Sequence, residues 1–130
     1  MERRLRLKHG RCARVLHGIL GGDAAGITDD GREVVVHAVI GDATGHGGDE
    51  TLDPRRSLLS EVYPGTMAET VWVPAANCID KPAALSWEHA ACLPVAYLTA
   101  YRMIAHRSGT APGDTLLVQG AGGGVATAAI

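Results

Sequence analysis

The chain has 130 residues, a formal charge of −2 and an isoelectric point near 6.3. That length suits one domain of common size, and so balanced a charge gives no sign of nucleic acid or an anionic membrane as a partner. No apolar run approaches the roughly 18 residues of a membrane span, so neither a membrane nor a nucleic acid is expected as a partner. Cys12, Cys78 and Cys92 lie far apart and form neither a Cys-x-x-Cys site nor a disulfide framework. They fit a reduced, cytoplasmic setting. With 17 glycines and no phenylalanine, turns and small-residue packing must supply much of the structure.

Residues 1–18 show no clear pattern and stay unassigned. Their basic start lacks the apolar stretch of a secretory signal and reads as a solvated tail. Arg14-Val15-Leu16 has the composition of a short strand. Ile19 to Thr28 are mostly small residues leading into a strand. Asp29-Asp30-Gly31-Arg32 is a hairpin turn by composition. Glu33 to Ile40 is a near-continuous apolar run, expected as a strand buried on both faces. Residues 41–63 are polar and glycine-rich, hence a loop. His46, Asp49, Glu50 and Asp53 lie in it, but their spacing matches no zinc or EF-hand pattern, and a solvated loop is expected rather than a metal site. Gly65 to Pro74 reads as a strand closed by proline, and Cys78 to Pro82 as a short edge strand. Residues 19–82 are therefore expected to form a small barrel-like or sandwich-like β unit.

The period changes at Ser86, which can cap a short helix over 87–93 with Glu88 in its first turn. Pro94 suits the start of a second helix over 95–107, with Leu98, Tyr101 and Ala105 on one face and Gly109 as its stop. Pro112-Gly113-Asp114 is a turn, and Thr115-Leu-Leu-Val-Gln119 has the composition of a buried strand. Gly120-Ala-Gly-Gly-Gly-Val125 follows, and then an alanine-rich helix start. Strand, glycine turn and helix together read as the first βα turn of a dinucleotide-binding domain. Glycines let the backbone approach a pyrophosphate, and free N–H groups at the helix start favour its charge. Gly120 and Gly122 fit the G-x-G-x-x-G/A fingerprint with Val125 at its third glycine, whereas Gly120-x-x-Gly123-x-x-Ala126 fits better. A plain tight turn or flexible tail is the competing interpretation. Ten residues follow Gly120, so the acidic residue that selects the cofactor, expected about 20 residues past the glycines, is not among them.

Four passages now stand in order: Leu20-Gly-Gly-Asp-Ala-Ala-Gly26, Gly65-Thr-Met-Ala-Glu-Thr-Val-Trp-Val-Pro74, Leu85-Ser-Trp-Glu-His-Ala-Ala-Cys-Leu-Pro94 through Ala96-Tyr-Leu-Thr-Ala-Tyr101, and Pro112-Gly-Asp-Thr-Leu-Leu-Val-Gln-Gly-Ala-Gly-Gly-Gly-Val125. In that order and spacing they resemble the medium-chain dehydrogenase/reductase superfamily, which includes zinc alcohol dehydrogenases and zinc-free quinone oxidoreductases. The resemblance covers residues 20–130; residues 1–18 do not resemble the family's opening strands. It implies a fold class running from α+β to α/β. A partial GroES-like β domain, 19–84, would be followed by a helix pair and the truncated start of an NAD(P)-binding Rossmann domain, 85–130. It implies NADP(H) or NAD(H) as cofactor, with Gly120, Gly122, Gly123, Gly124 and Val125 at the pyrophosphate and Thr99 near the nicotinamide. The alternative for Thr99 is a helix hydroxyl bonding back to its own carbonyls.

The departures from the family matter as much. Where zinc members carry a Gly-His-Glu stretch, this chain reads Gly21-Gly22-Asp23, with Gly22 at the histidine. Where they carry a cysteine four residues before the helix threonine, it has Val95. Residues 41–65, the place of the family's structural zinc lobe, contain no cysteine. Catalytic zinc needs three protein ligands, so no zinc is expected at either site. The resemblance thus implies zinc-independent hydride transfer from NAD(P)H to a carbonyl, enone or quinone, a small-molecule substrate held in a cleft. No residue stands out as acid or base; Tyr97 and Tyr101 could donate a proton, with core packing as their competing role. Family members run well over twice this length, so two alternatives accompany the enzyme: a catalytically inactive fragment, or a non-enzymatic β domain. Either could form homo-oligomers through exposed strand edges, the Thr115–Gln119 strand among them. Residues 108–130 are expected to be mobile or to dock on the β unit.

Overall fold

The computed structural model describes residues 2–7 and 18–130, so Cys12 and the expected Arg14–Leu16 strand lie outside it. Strands β1 (Glu2–Leu7), β2 (Ala25–Thr28), β3 (Glu33–Val36), β4 (Val39–Ile40), β5 (Ser57–Leu58), β6 (Thr70–Pro74) and β7 (Cys78–Asp80) come first in the chain. The β2–β3 hairpin closes through the expected turn, with Gly31 N–H donating to the Thr28 carbonyl at 2.9 Å and Thr28 N–H to Arg32 at 3.0 Å. Around it grows a five-stranded sheet in the order β6-β1-β2-β3-β7, antiparallel at every pairing, while β4 and β5 pair separately. The edge position expected for β7 is observed.

Strand β1 corrects the expected solvated tail. It occupies an inner position, with Leu5 opposite both Thr28 and Val71. Glu-Arg-Arg-Leu-Arg-Leu does alternate, but three arginines in six residues mask the period. Neighbours on both sides supply the pairing that local composition does not, as is usual for strands.

Val34, Val35 and Val36 are buried at 0%, 7% and 0% exposure, so the both-faces expectation holds for β3. Successive side chains point to opposite faces. Val34 and Val36 pack with Ala24, Leu59, Val71, Val73 and Cys78, whereas Val35 packs with Ala25 and Ala90 beneath Leu85 and Trp87. Burying each of Val34, Val36 and Val73 contributes roughly 1.5–3 kcal/mol. The second cluster fixes the helical layer to the sheet, because Ala90 sits on α1 (Trp87–Ala91). Ser86 caps α1 as expected, its hydroxyl accepting from His89 N–H at 3.3 Å.

The expected strand over 33–40 is broken at His37 and Ala38. His37 N–H turns to the Asn77 carbonyl at 2.8 Å, and β4 begins on the far side of the break. The expected strand over 65–74 starts only at Thr70, because Gly65, Thr66 and Met67 bond instead to the crossing segment Ile19–Gly21.

Residues 93–107 form one helical run, close to the expected second helix. Its middle, α2 (Leu98–Tyr101), lies between π-helical turns at Leu93–Tyr97 and Arg102–Arg107, and Gly109 closes it at φ +71°. The expected strand Thr115–Gln119 forms no ladder, since no neighbouring strand among the described residues pairs with it. The last element, α3 (Gly124–Ala129), packs on the helical run and not on the β unit, with an added Cβ at Gly124 falling 3.4 Å from Ala96 Cβ. No helix among the described residues is long and apolar enough to cross a membrane.

Candidate active site

Sheet and helical run do not close on each other completely. Between them opens a cleft of about 1220 Å³. Val35, Val39 and Ile79 line one wall, and Leu93, Leu98 and Ile104 the other, with Ala128 of α3 at one side. Tyr97 and Tyr101, 47% and 60% exposed, also face it, so their expected core role gives way to a cleft-lining one.

The polar end of this cleft is built by His37, Asp42, Glu50 and Asn77. His37 Nε2 lies 2.6 Å from Glu50 Oε1, and both side chains are largely covered. The break between β3 and β4 is what turns His37 into the cleft. Asn77 then clamps the break: its side-chain amide donates to the His37 carbonyl at 2.8 Å and to the Val39 carbonyl at 2.6 Å. Together with the His37 N–H bond to the Asn77 carbonyl, the histidine backbone is held on both sides. Glu50 is placed by a close approach at Gly41, where a Cβ would lie 2.7 Å from the Glu50 carbonyl oxygen. Only glycine fits there.

The loop carrying Glu50 is ordered by its own carboxylates. Asp53 is buried and accepts from Asp42 N–H at 2.9 Å and Arg55 N–H at 2.8 Å; these bonds, Arg55 first, hold its carboxyl below the usual range. Asp49 accepts from Thr51 and from Arg102 Nη2, the latter at 2.7 Å, which lowers its pKa to about 2. Arg102 belongs to the helical run, so this pair ties the loop to the opposite wall across the cleft. The loop is therefore braced, in place of the solvated irregular segment expected from its composition. Among the described residues, no cluster of three or more His, Cys, Asp or Glu could hold a metal ion.

A second tie lies at the other side. Asp23 Oδ1 accepts from Val95 N–H at 3.0 Å, joining the segment before β2 to the first turn of the helical run. Desolvation raises the Asp23 carboxyl above its usual range, against the lowering effect of that bond. An added Cβ at Gly22 would meet Val95 Cγ2 at 3.4 Å. The two positions matched in sequence to zinc ligands thus face each other, and neither carries a donor.

Thr99 sits on the exposed side of α2, and its hydroxyl makes no hydrogen bond among the described residues, so the back-bonding alternative is not observed. Gly120, with φ +68°, Gly122 and Gly123 form the exposed turn before α3, Gly124 is the first residue of that helix, and Val125 is half-buried in its first turn. None of these residues lines the cleft, to which this end of the chain contributes Ala128. His37 was missed in the sequence, and Glu50 was noticed there only as one carboxylate of a set rejected as a metal site. Their signal was faint: a histidine ending a valine run, and a glutamate in a loop crowded with acids.

A small antiparallel sheet, a helical connector across a cleft, and a glycine turn before a helix define a partial GroES-like domain joined to the start of a Rossmann domain. The chain belongs to the medium-chain dehydrogenase/reductase superfamily. It is 34% identical over 128 residues to crotonyl-CoA carboxylase/reductase of Cereibacter sphaeroides, covering 86% of this chain and 30% of that protein. It is 36% identical over 101 residues to the synaptic vesicle membrane protein VAT-1 homolog of Rattus norvegicus, covering 78% of this chain and 23% of that protein. The fold superposes on an NAD-dependent alcohol dehydrogenase structure with a TM-score of 0.87 at 34% identity, over 98% of this chain and 45% of that one. The chain therefore spans less than half the length of each of these relatives. No family model matches it.

Proposed function

We propose that this chain contributes the substrate side of a zinc-independent, NAD(P)H-dependent reductase acting on a carbonyl, enone or quinone. The observation that carries the proposal is the apolar cleft with a single polar end, set between the β unit and the helical run. Apolar walls exclude water around a small electron-poor substrate, and position and dryness do much of the work in hydride transfer. Zinc independence is supported by hydrogen and isopropyl groups meeting at Gly22 and Val95.

The glycine turn fits a dinucleotide pyrophosphate. No heavy atom lies within 4 Å of a Cβ added at Gly120 or Gly122, and α3 begins without a side-chain cap, so its first N–H groups lack an intrahelical acceptor. Gly120, Gly122, Gly123, Gly124 and Val125 are the residues proposed to hold it, with Thr99 toward the nicotinamide. When bound, the cofactor supplies hydride.

An inactive, self-associating chain is the second reading. It is favoured by Leu117 at 81% exposure and by Trp72 and Ile79, at 60% and 52%, on the two edge strands. Calorimetry with NADPH and NADH on this chain, with metal analysis and gel filtration of the same sample, separates the two. Micromolar dinucleotide binding without stoichiometric zinc is the expected result. A dimer that binds neither cofactor would replace the first reading by the second, and stoichiometric zinc would overturn zinc independence.

A further inference from the structure

We infer that His37, held by Glu50, is the proton donor of the cleft. The inference rests on the reductase reading and deepens it. Reduction of a carbonyl or enone has two halves. Hydride addition to carbon leaves negative charge on oxygen, as an alkoxide or enolate, and a proton must follow.

The cleft offers few groups for that second half. Its titratable lining consists of His37, Asp42, Glu50, Tyr97 and Tyr101. Asp42 is occupied within its own loop, accepting from Thr44 N–H at 2.8 Å. Tyr97 and Tyr101 lie on the helical wall and have no carboxylate partner among the described residues. His37 alone has one, with Glu50 Oε1 at 2.6 Å from Nε2. A carboxylate acceptor on Nε2 makes that nitrogen the N–H of the pair and leaves Nδ1 to face a substrate. The other nitrogen, Nδ1, has no partner among the described residues.

The step balances without further groups. A reduced nicotinamide dinucleotide supplies the hydride. The Nδ1–H bond of the imidazolium breaks, an O–H bond forms on the substrate oxygen, and His37 is left neutral with Nε2–H still on Glu50. Solvent returns the proton. Glu50 and Asn77 are positioning residues: one fixes the tautomer, the other the backbone on both sides of His37. Donors held this way lose little on reaction because they are already oriented.

The test is proton and nitrogen NMR of the histidine rings in the whole chain, titrated with butyrate as a probe for the substrate's negative oxygen. The His37 ring signals should move as butyrate saturates, and its Nε2–H signal should be present in the wild type and lost in Glu50→Ala, whereas Glu50→Gln keeps an acceptor oxygen for it. Butyrate affinity should fall roughly tenfold in His37→Gln, the loss of one hydrogen bond to a charged group. Butyrate that leaves the His37 signals unmoved, or that binds His37→Gln as tightly as wild type, overturns the assignment. The wild-type titration stands by itself should a variant unfold. Calorimetry with NADPH on the same sample keeps the two ideas apart. A responsive His37 without dinucleotide binding removes the reductase reading and leaves the acid in place; dinucleotide binding with an unresponsive His37 does the reverse.

Discussion

Gly65→Ala is the substitution by which the geometry around the candidate site is most exposed to refutation. Gly65 crosses the segment before β2 so closely that an added Cβ would lie 2.3 Å from Leu20 C, 2.4 Å from Leu20 O and 2.6 Å from Gly21 O. All three are backbone atoms and cannot swing aside. The crossing is also hydrogen-bonded, with Gly65 N–H to Ile19 O at 2.7 Å, Met67 N–H to Leu20 O at 2.8 Å and Thr66 N–H to Gly21 O at 3.0 Å. To admit a methyl, the two segments must part by about an ångström, which weakens these bonds. Overpacking costs about 1–3 kcal/mol and each lost bond about 0.5–1.5 kcal/mol. Alanine's restriction of the unfolded chain offsets about 0.4–1 kcal/mol. The net loss should be about 3 kcal/mol. In urea, with a slope of about 1.5 kcal/mol per molar, the midpoint should fall by about 2 M. Gly122→Ala is the control: nothing lies within 4 Å of its Cβ, and the change should stay within about 0.5 kcal/mol. A Gly65→Ala midpoint within experimental error of wild type would refute the packing described at this crossing, and with it the placement of Gly22 and Asp23 against the helical run.

The two braces of the cleft respond to pH in opposite senses. Asp49, at about 2 when folded against a usual 3.8, contributes stability that is complete above the unfolded value and is lost as pH falls toward 2. Asp49→Asn should therefore flatten the loss of stability between pH 4 and 2, seen in thermal melts across that range; an unchanged slope would count against the Asp49–Arg102 tie. Asp23 is raised when folded, so the wild type loses stability as pH rises through that raised value. Asp23→Asn keeps an acceptor for Val95 N–H and should melt slightly higher than wild type at pH 7 but not at pH 3. A uniform fall at both pH values would mean that the hydrogen bond, and not the charge, dominates.

Much of the fold was legible because it is written in local chemistry. The Asp29–Arg32 turn, the valine run of β3, the Ser86 cap and the Gly109 stop each carry their own signal, and each is where the residues put it. The misses share a different cause. The inner place of β1 depends on β2 and β6, and the break of the 33–40 run at His37 depends on Asn77. Pairing is non-local, and composition reports it only when alternation is clean.

The same division runs through the site. The glycine turn could be read because its chemistry is in the backbone and needs consecutive residues. The His37–Glu50 pair could not, because it depends on a break in a strand. Six apolar or small positions among residues 33–40 argue for an unbroken strand, in which His37 would be an incidental member. What breaks the strand is Asn77, forty residues later, whose amide bonds the carbonyls of His37 and Val39 and leaves the imidazole facing the cleft. Asn77 is itself buried and is placed by the 3₁₀ turn Ala75–Asn77 after Pro74. A buried asparagine with its hydrogen bonds satisfied by main chain reads as structural, and here the structure it makes is the orientation of the acid. Asn77→Ala would leave those two carbonyls unsatisfied in a covered site, at about 1–3 kcal/mol each in the limit of full burial. It should also let His37 return toward a continuous β3–β4 strand and away from Glu50. A His37 ring that keeps its Nε2–H signal in Asn77→Ala would show that Glu50 alone orients the histidine, and that the clamp serves stability only.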